Sequence, residues 1–420
     1  SIPTDAFKGI STLTGTVSFP NSVRSIGESA FEGTSITSIA FGNDPSLTII
    51  NDKAFYGTPL NANGFNQIQL PSSLTSIGVS AFENSLFSGT ITVGNSLTTI
   101  NKNAFCNVSG LTCFSTNTRN GNVFPNTIKT IDDYAFDDTG LPGTISFGTA
   151  TLAKIGKYAF EGLTITGSLK IELQDSNSVI DQHAFLNSGI NEEIEISDGK
   201  IEDYAFEGLT FNTLTISDAT IDGKAFIKCT ISQGMSFSKA TISSYAFIKG
   251  KYTGTSDVLF YGSTVGTYAF NTFQMSTCTI KITDTTLQER AFESMIGTPR
   301  LVFDHDDEEY EDQEFIIGNH AFYGTRITGD ANHNLIIPES VKTIDEYAFA
   351  LCKGLTGDLI INSSIVSDYA FYYSGFTGLL RLNPNVKHLT TFDNQQEKTG
   401  NAHTFEGCRF DSLWLNNTGS

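Results

Sequence analysis

Positively charged residues are scarce in this 420-residue sequence: 25 lysines and arginines stand against 45 aspartates and glutamates, and the formal net charge is −20. A chain this acidic repels phosphate backbones and anionic lipid, which argues against nucleic acid and charged membranes as partners. No stretch approaches the 18 consecutive apolar residues of a membrane-spanning helix. With 10 prolines and 17% charged residues, the composition is also unlike that of a disordered chain. The sequence therefore predicts a soluble, ordered protein.

Tryptophan and methionine are rare as well, with one and three copies, whereas phenylalanine occurs 33 times. Sixteen Ala-Phe pairs recur along the chain, apart from Ala40-Phe41, which lies outside this series, and a degenerate seventeenth copy ends at Phe405. The steps between successive copies run from 20 to 34 residues and average about 25. This periodicity is typical of a repeat protein, in which each unit buries its apolar face against its neighbours. The phenylalanines of the Ala-Phe pairs are Phe7, Phe31, Phe55, Phe82, Phe105, Phe136, Phe160, Phe185, Phe206, Phe226, Phe247, Phe270, Phe292, Phe322, Phe349 and Phe371.

Each unit also contains a short run of alternating polar and apolar residues, such as 193–196 and 279–282. Alternation with a period of two, rich in Ile, Val, Thr and Phe, indicates a strand with one buried face, and no window has a sustained helical period. The sequence thus predicts one mainly β repeat solenoid over residues 1–420. We expect about 17 coils, a long parallel sheet, little helix, and an internal ladder of the Ala-Phe phenylalanines.

The repeated unit resembles the BspA-like leucine-rich repeats. Residues 334–352, which read NLIIPESVKTIDEYAFALC, match the pattern of that family closely, and residues 17–31 and 68–82 match it nearly as well. Units from about 165 to 300 depart from it because they lack the proline that ends the strand, and many lack the cysteine. The resemblance implies a curved leucine-rich repeat array on the cell exterior that binds host or neighbouring macromolecules. The resemblance implies no catalytic residues, because the family has none in common.

Catalysis has little support in the sequence. It contains no Gly-x-Ser-x-Gly motif, no phosphate-cradling loop and no repeated pair of carboxylates. His183 and His320 take the place before Ala-Phe that is Tyr in many other units, which indicates members of a column rather than catalytic bases. A polysaccharide-cleaving β-helix is the enzymatic alternative, and it would require a cleft with paired acids that the sequence does not indicate. We therefore predict a protein that is not an enzyme and needs no cofactor.

The six cysteines fit the repeat better than a disulfide framework or a zinc site. Cys229, Cys352 and Cys408 lie three or four residues after the phenylalanine of their unit, where a small buried thiol would fill the turn. Only Cys106 and Cys113 are close enough in sequence for a local bridge, and no Cys-x-x-Cys pair is present. The sixth cysteine is Cys278.

One segment, residues 304–314, concentrates negative charge within the 30-residue step from Phe292 to Phe322. One interpretation is a solvated insertion loop. The other is a weak site for a hard cation such as Ca²⁺, although the Gly-punctuated spacing of a dedicated calcium loop is missing. A calcium titration by calorimetry without heat would exclude the second interpretation, whose candidate ligands are Asp304, Asp306, Asp307 and Glu308.

The central residue of each apolar-x-apolar strand is predicted to point outward. In the first half of the chain these residues are small or polar, and in the last third they are largely apolar. We predict a binding surface there, with Val302, Ile336 and Ile360 on adjacent rungs. Two alternatives are that flanking loops cover the patch or that the strand frame shifts by one residue. The candidate binding residues are Leu259, Val302, Ile336, Ile360, Arg381 and Trp414.

These observations favour a non-catalytic adhesion scaffold at the cell surface that binds extracellular or host proteins or glycans, without nucleic acid or membrane insertion. A rigid spacer or stalk without its own ligand is the alternative. The sequence opens partway through a unit and stops soon after Trp414 without a polar cap, so we expect a fragment of a longer surface protein or self-association, end to end or face to face.

Overall fold

A computed structural model gives the fold of the chain, which divides into two compact units, Ser1–Phe211 and Asn212–Ser420. Each unit is a parallel β-solenoid, and no helix occurs among the described residues. The described residues include nothing with the length and hydropathy of a membrane-spanning helix. They comprise the whole chain except residues 61–66, 117–120, 276, 305–313, 385, 387, 390, 394–395, 399–402 and 416–420.

One face of each unit is a ladder of short parallel strands, eight in each unit among the residues described. The second residue of most strands is an isoleucine, valine or leucine that is buried and pairs with its counterpart in the next turn, as Ile77 pairs with Ile100. In the first unit these strands are Ser25–Ile26, Ile49–Ile50, Ser76–Ile77, Thr99–Ile100, Thr130–Ile131, Lys154–Ile155, Val179–Ile180 and Lys200–Ile201. In the second they are Thr220–Ile221, Thr241–Ile242, Thr264–Val265, Thr286–Leu287, Phe315–Ile317, Val341–Ile344, Ile365–Val366 and His388–Leu389.

The second face carries the longer strands that hold the alternating segments; we call it the strand face. In the first unit these strands are Thr14–Phe19, Ser35–Phe41, Gln67–Gln69, Ser88–Thr92, Gly110–Ser115, Asn122–Val123, Ile145–Ser146, Thr151–Leu152, Leu169–Leu173 and Glu193–Ser197. The division between the units falls within Thr210–Ser217. In the second unit they are Thr230–Ser238, Val258–Tyr261, Thr279–Thr283, Arg300–Asp304, Leu335–Ile337, Leu359–Ile361, Leu379–Leu382 and Ser412–Leu415.

Four further strands complete the second unit. Lys251–Tyr252 and Gln274–Met275 form a parallel extension of the strand face beside Thr230–Ser238. Thr391–Asp393 and Gln396–Lys398 form a separate antiparallel pair. All other strand pairs with a described register are parallel, as the repeat requires when each turn returns the chain to the same direction.

The phenylalanines of the Ala-Phe pairs form the predicted internal ladder in both units. In the first unit the rings from Phe7 to Phe206 stack with centroids 5.0–5.6 Å apart. In the second unit the rings from Phe226 to Phe405 stack with centroids 4.9–5.6 Å apart, so Phe405 of the degenerate copy is also part of the ladder. The prediction of a mainly β repeat solenoid with a phenylalanine ladder is confirmed.

Each Ala-Phe pair lies in a turn whose backbone the sequence alone does not reveal. At all sixteen pairs, the residue two before and the residue two after the phenylalanine have φ between +49° and +74°. Only some are glycine, and a non-glycine residue in this left-handed region costs about 1–2 kcal/mol. Amide groups of one turn donate to carbonyl oxygens of the next and hold this geometry, as Phe82 N does to Ala104 O at 2.8 Å.

Gly156 shows why glycine follows isoleucine in the repeated unit, and it allows a prediction about stability. A Cβ added at this position would lie 2.4 Å from the backbone N of Asp133. Asp133 cannot withdraw easily because its carboxylate accepts hydrogen bonds from Lys154 Nζ and from the amide of Lys157, both at 3.0 Å. We therefore expect Gly156→Ala to lower the free energy of unfolding by about 1–3 kcal/mol, measured by urea denaturation.

The matched control for Gly156→Ala lies in the same turn. Gly162 has φ +71° and no atom within 4 Å of an added Cβ. Asn187 holds the equivalent left-handed position one turn later. Gly162→Asn should therefore change stability by less than about 0.5 kcal/mol. Equal losses in the two variants would show that backbone conformation, and not the close approach to Asp133, sets the requirement for Gly156.

Candidate functional site

Side chains on the strand face alternate between the core and solvent, as predicted. Ile336 is 45% exposed, while its neighbours Leu335 and Ile337 are buried. Leu259 is 39% exposed between buried Val258 and Phe260. The strand frame is therefore the predicted one at these positions, and described loops do not cover them.

Four of the candidate residues form a continuous row across one sheet, which we call the apolar stripe: Ile336, Ile360, Arg381 and Trp414. Their Cα atoms are partners in successive parallel strands, Ile336 with Ile360, Ile360 with Arg381, and Arg381 with Trp414. Ile336 and Trp414 are exposed, and Ile360 and Arg381 are half-buried. Parallel strands lie about 4.8 Å apart, so the stripe places three large apolar side chains and one guanidinium within a short distance.

The guanidinium of Arg381 packs on the ring of Trp414. Its Cζ atom lies 4.4 Å from the ring centroid, which is a cation–π contact. The Nε atom of Arg381 is buried and has no hydrogen-bond partner among the described residues. Arg381 is therefore fixed in place by stacking on an aromatic ring, with one N–H donor left unused.

Leu259 and Val302 belong to a different sheet from the apolar stripe. Lys281 separates them, because Leu259 pairs with Lys281 and Lys281 pairs with Val302. The ammonium of Lys281 lies 2.7 Å from the carboxylate of Asp257, which raises the pKa of the lysine through a hydrogen bond and charge attraction. A paired charge thus interrupts the apolar surface between these two candidates.

Ile336 and Ile360 are strand partners, as predicted, whereas the strands of Val302 and Ile336 are in contact but do not pair through a ladder of backbone hydrogen bonds. Val302 lies in Arg300–Asp304, the last strand of its sheet, whereas Ile336 lies in the first strand of the next sheet. Arg300 forms a bridge with Thr328 instead.

The strand face of the first unit is polar, as its sequence indicates. A depression of about 670 Å³ lies there, and its lining includes Gln69, Thr92, Asn43 and Ser72. A smaller depression of about 330 Å³ in the second unit includes Asp345, whose pKa is raised by burial and by Glu346. Both linings also contain apolar residues, such as Phe41 and Leu70 in the first and Ile365 in the second, but no residue of the apolar stripe.

A second aromatic ladder runs along the outside of the Ala-Phe turns. His183 stacks between Tyr158 and Tyr204, at 4.9 and 5.1 Å, which confirms its place in a column. His320 likewise stacks on Tyr347 at 4.8 Å, and burial lowers its pKa. Because the ring faces cover one another, these residues contribute to the packing of the turns and present only their edges to solvent. The repeated Tyr two residues before Phe was the sequence signal for this ladder.

The structure bears on only part of the acidic candidate site. Asp304 ends a strand, while Asp306, Asp307 and Glu308 lie outside the described residues. In the part of the chain that is described, no three His, Cys, Asp or Glu side chains are grouped for metal binding. Calcium binding by this segment stays a prediction.

All six cysteines are free thiols, including Cys106 and Cys113. Cys229 and Cys352 are fully buried, as expected for thiols that fill a turn. Burial raises the pKa of Cys352 to about 12 and that of Cys278 to about 11. These thiols are therefore protonated at neutral pH and poorly suited to nucleophilic chemistry.

Comparison with protein families identifies the repeat. The BspA type leucine rich repeat region, in six copies, matches residues 1–112, 110–233, 178–297 and 315–397. The chain belongs to the BspA type leucine-rich repeat family. The resemblance of the repeated unit to this family is thus confirmed, and repeats of this family and fold are generally non-catalytic and used for protein binding.

Two other comparisons add little to the family match. A crystal structure of a leucine-rich repeat protein from Bacteroides ovatus ATCC 8483 is 15% identical, with 95% of this chain and 92% of that chain covered and a TM-score of 0.32. A TM-score this low supports no conclusion about shared geometry. No curated protein matches the chain.

Proposed function

We propose that this BspA type repeat protein is a non-catalytic scaffold at the cell surface whose apolar stripe binds an extracellular protein. The observation that supports this is the row of Ile336, Ile360, Arg381 and Trp414, aligned in register on consecutive strands. Exposed apolar groups in a contiguous row are characteristic of contact surfaces. Trp and Arg are also the residue types that contribute most to binding energy at protein interfaces.

The rigid sheet beneath the stripe favours binding. The residues that flank Ile336, Ile360 and Arg381 on their strands, such as Leu359 and Ile361, are buried, so these three strands cannot rearrange without opening the core. The strand of Trp414 differs, because Leu413 and Leu415 are each 60% exposed. A partner would therefore meet side chains that are already in position and would lose little conformational entropy on the scaffold side. Val302 is assigned to the edge of this surface, because its strand contacts the strand of Ile336. Leu259 is assigned to a separate contact beyond paired Lys281.

The test is binding of the purified chain to a panel of extracellular matrix proteins and glycans, measured by surface plasmon resonance. We expect the double variant Ile336→Ser, Ile360→Ser to bind its protein partner about 10- to 100-fold more weakly, since a fully buried isoleucine contributes about 1.5–3 kcal/mol. The matched control is Gln69→Ala, Thr92→Ala, which changes the same strand positions on the polar face of the first unit. That control should bind like the wild type.

Circular dichroism must show that both double variants remain folded. Unchanged affinity in the stripe variant, or equal losses in both variants, would contradict the proposal. Absence of binding to every protein on the panel would favour a spacer instead. Analytical ultracentrifugation of the same variants tests self-association. If the stripe joins two copies of the chain, replacing Ile336 and Ile360 should abolish the dimer.

A further inference from the structure

Lys281 and Arg381 are cations at equivalent outward positions on the strand face of the second unit, and they differ in their hydrogen-bond partners. Lys281 is paired with Asp257 at 2.7 Å. The Nε atom of Arg381 is buried without any acceptor among the described residues. The buried Nε is out of reach of an incoming group, but the side chain as a whole is only half-buried. A carboxylate at its accessible part would supply the counter-charge that Asp257 supplies to Lys281.

The surroundings of Arg381 make its guanidinium selective. Ile360 precedes it and Trp414 follows it in the stripe, so its immediate neighbours on the sheet are apolar or aromatic. In such surroundings a charge pair is stronger than in water. Stacking on Trp414 at 4.4 Å also orients the planar guanidinium, whose fork of donors matches a carboxylate.

We propose that Arg381 binds a carboxylate of the partner and that the stripe recognises an extended protein segment with an acidic residue between apolar residues. This inference rests on the proposed function and names the chemistry of the partner at the same surface. A carboxylate fits better than a phosphate because one guanidinium supplies one positive charge, while the chain as a whole has a net charge of −20. The apolar flanks of Arg381 match aliphatic side chains on the partner.

The chain has a single tryptophan, so its fluorescence reports directly on Arg381 and the stripe. The probes are two capped peptides of identical length, Ser-Leu-Glu-Leu-Ser and Ser-Leu-Gln-Leu-Ser, titrated to millimolar concentration. We expect the Glu peptide to change the Trp414 emission in a saturable manner and to bind about tenfold more tightly than the Gln peptide. In Arg381→Met the two peptides should bind equally, and in Arg381→Lys the preference should be reduced.

The matched control is Lys281→Met. It also removes a cation from an outward position on the strand face, but this cation already has Asp257 as its partner. It should keep the full preference for the Glu peptide. Equal binding of the two peptides to the wild type, no response to either, or tighter binding of a phosphoserine or glucuronate analogue would overturn the carboxylate inference. If, in addition, the Ile336→Ser, Ile360→Ser variant binds the protein panel normally, the proposed function fails too; if that variant loses binding, only the inference about Arg381 fails.

Discussion

Replacing Phe247 by alanine should lower the free energy of unfolding by about 3–5 kcal/mol, the largest loss we expect from a single substitution in the second unit. Phe247 is fully buried. Its ring stacks on Phe226 at 5.1 Å and on Phe270 at 4.9 Å, and it meets the edge of Phe237 at 5.4 Å. The substitution would remove aromatic contacts on three sides, and the tightly packed turns can close the cavity only in part.

The matched control is Phe7→Ala, in the same kind of ladder. Phe7 is 37% exposed and stacks only on Phe31, at 5.1 Å, among the described rings. Phe7→Ala should lower the free energy of unfolding by about 1–2 kcal/mol. Urea denaturation followed by circular dichroism measures both values, and hydrogen exchange locates the effect. Because a repeat contacts mainly its neighbours, faster exchange should be confined to the turns on either side of residue 247. Equal losses in the two variants would contradict a ladder whose stability depends on burial.

Replacing Asn122 by alanine should lower the free energy of unfolding by about 2–3 kcal/mol, since the buried amide of Phe114 loses its acceptor and two carbonyl groups lose a donor. Asn122 is 1% exposed. Its Oδ1 accepts a hydrogen bond from the amide of Phe114 at 3.0 Å, and its Nδ2 donates to the carbonyl oxygens of Pro142 at 2.9 Å and Thr144 at 3.3 Å. Phe114 is fully buried, so water cannot easily replace the acceptor of its amide.

The control for Asn122 is Asn51→Ala. The Nδ2 of Asn51 also donates to a backbone carbonyl, that of Ile26 at 2.7 Å, but Asn51 is only half-buried. Its replacement should cost about 1 kcal/mol. Hydrogen exchange of the Phe114 amide is the most direct readout, because this N–H loses its acceptor in Asn122→Ala. Protection of Phe114 that remains at the wild-type level would contradict the role of Asn122.

The candidate site was predictable in part. The outward positions followed from strand periodicity alone, and Ile336, Ile360, Arg381 and Trp414 do align in one row. The end of the sheet at Val302 did not follow, because alternation along a strand does not show whether that strand pairs with the next one. Nor could the sequence show that Arg381 has an unpaired Nε while Lys281 is paired, since each depends on which side chains the register brings close.

The amino-acid sequence alone determined the repeat, the parallel coil and the phenylalanine ladder, because an Ala-Phe pair every 25 residues or so can bury its rings only by stacking one turn on the next. Only the tertiary structure decided the conformation of the turns, where Tyr158 and His183 adopt positive φ that neither residue type prefers. The physical reason is that hydrogen bonds and ring stacking with adjacent turns offset the local strain. Local preference favours other conformations, and the contacts between successive turns outweigh it.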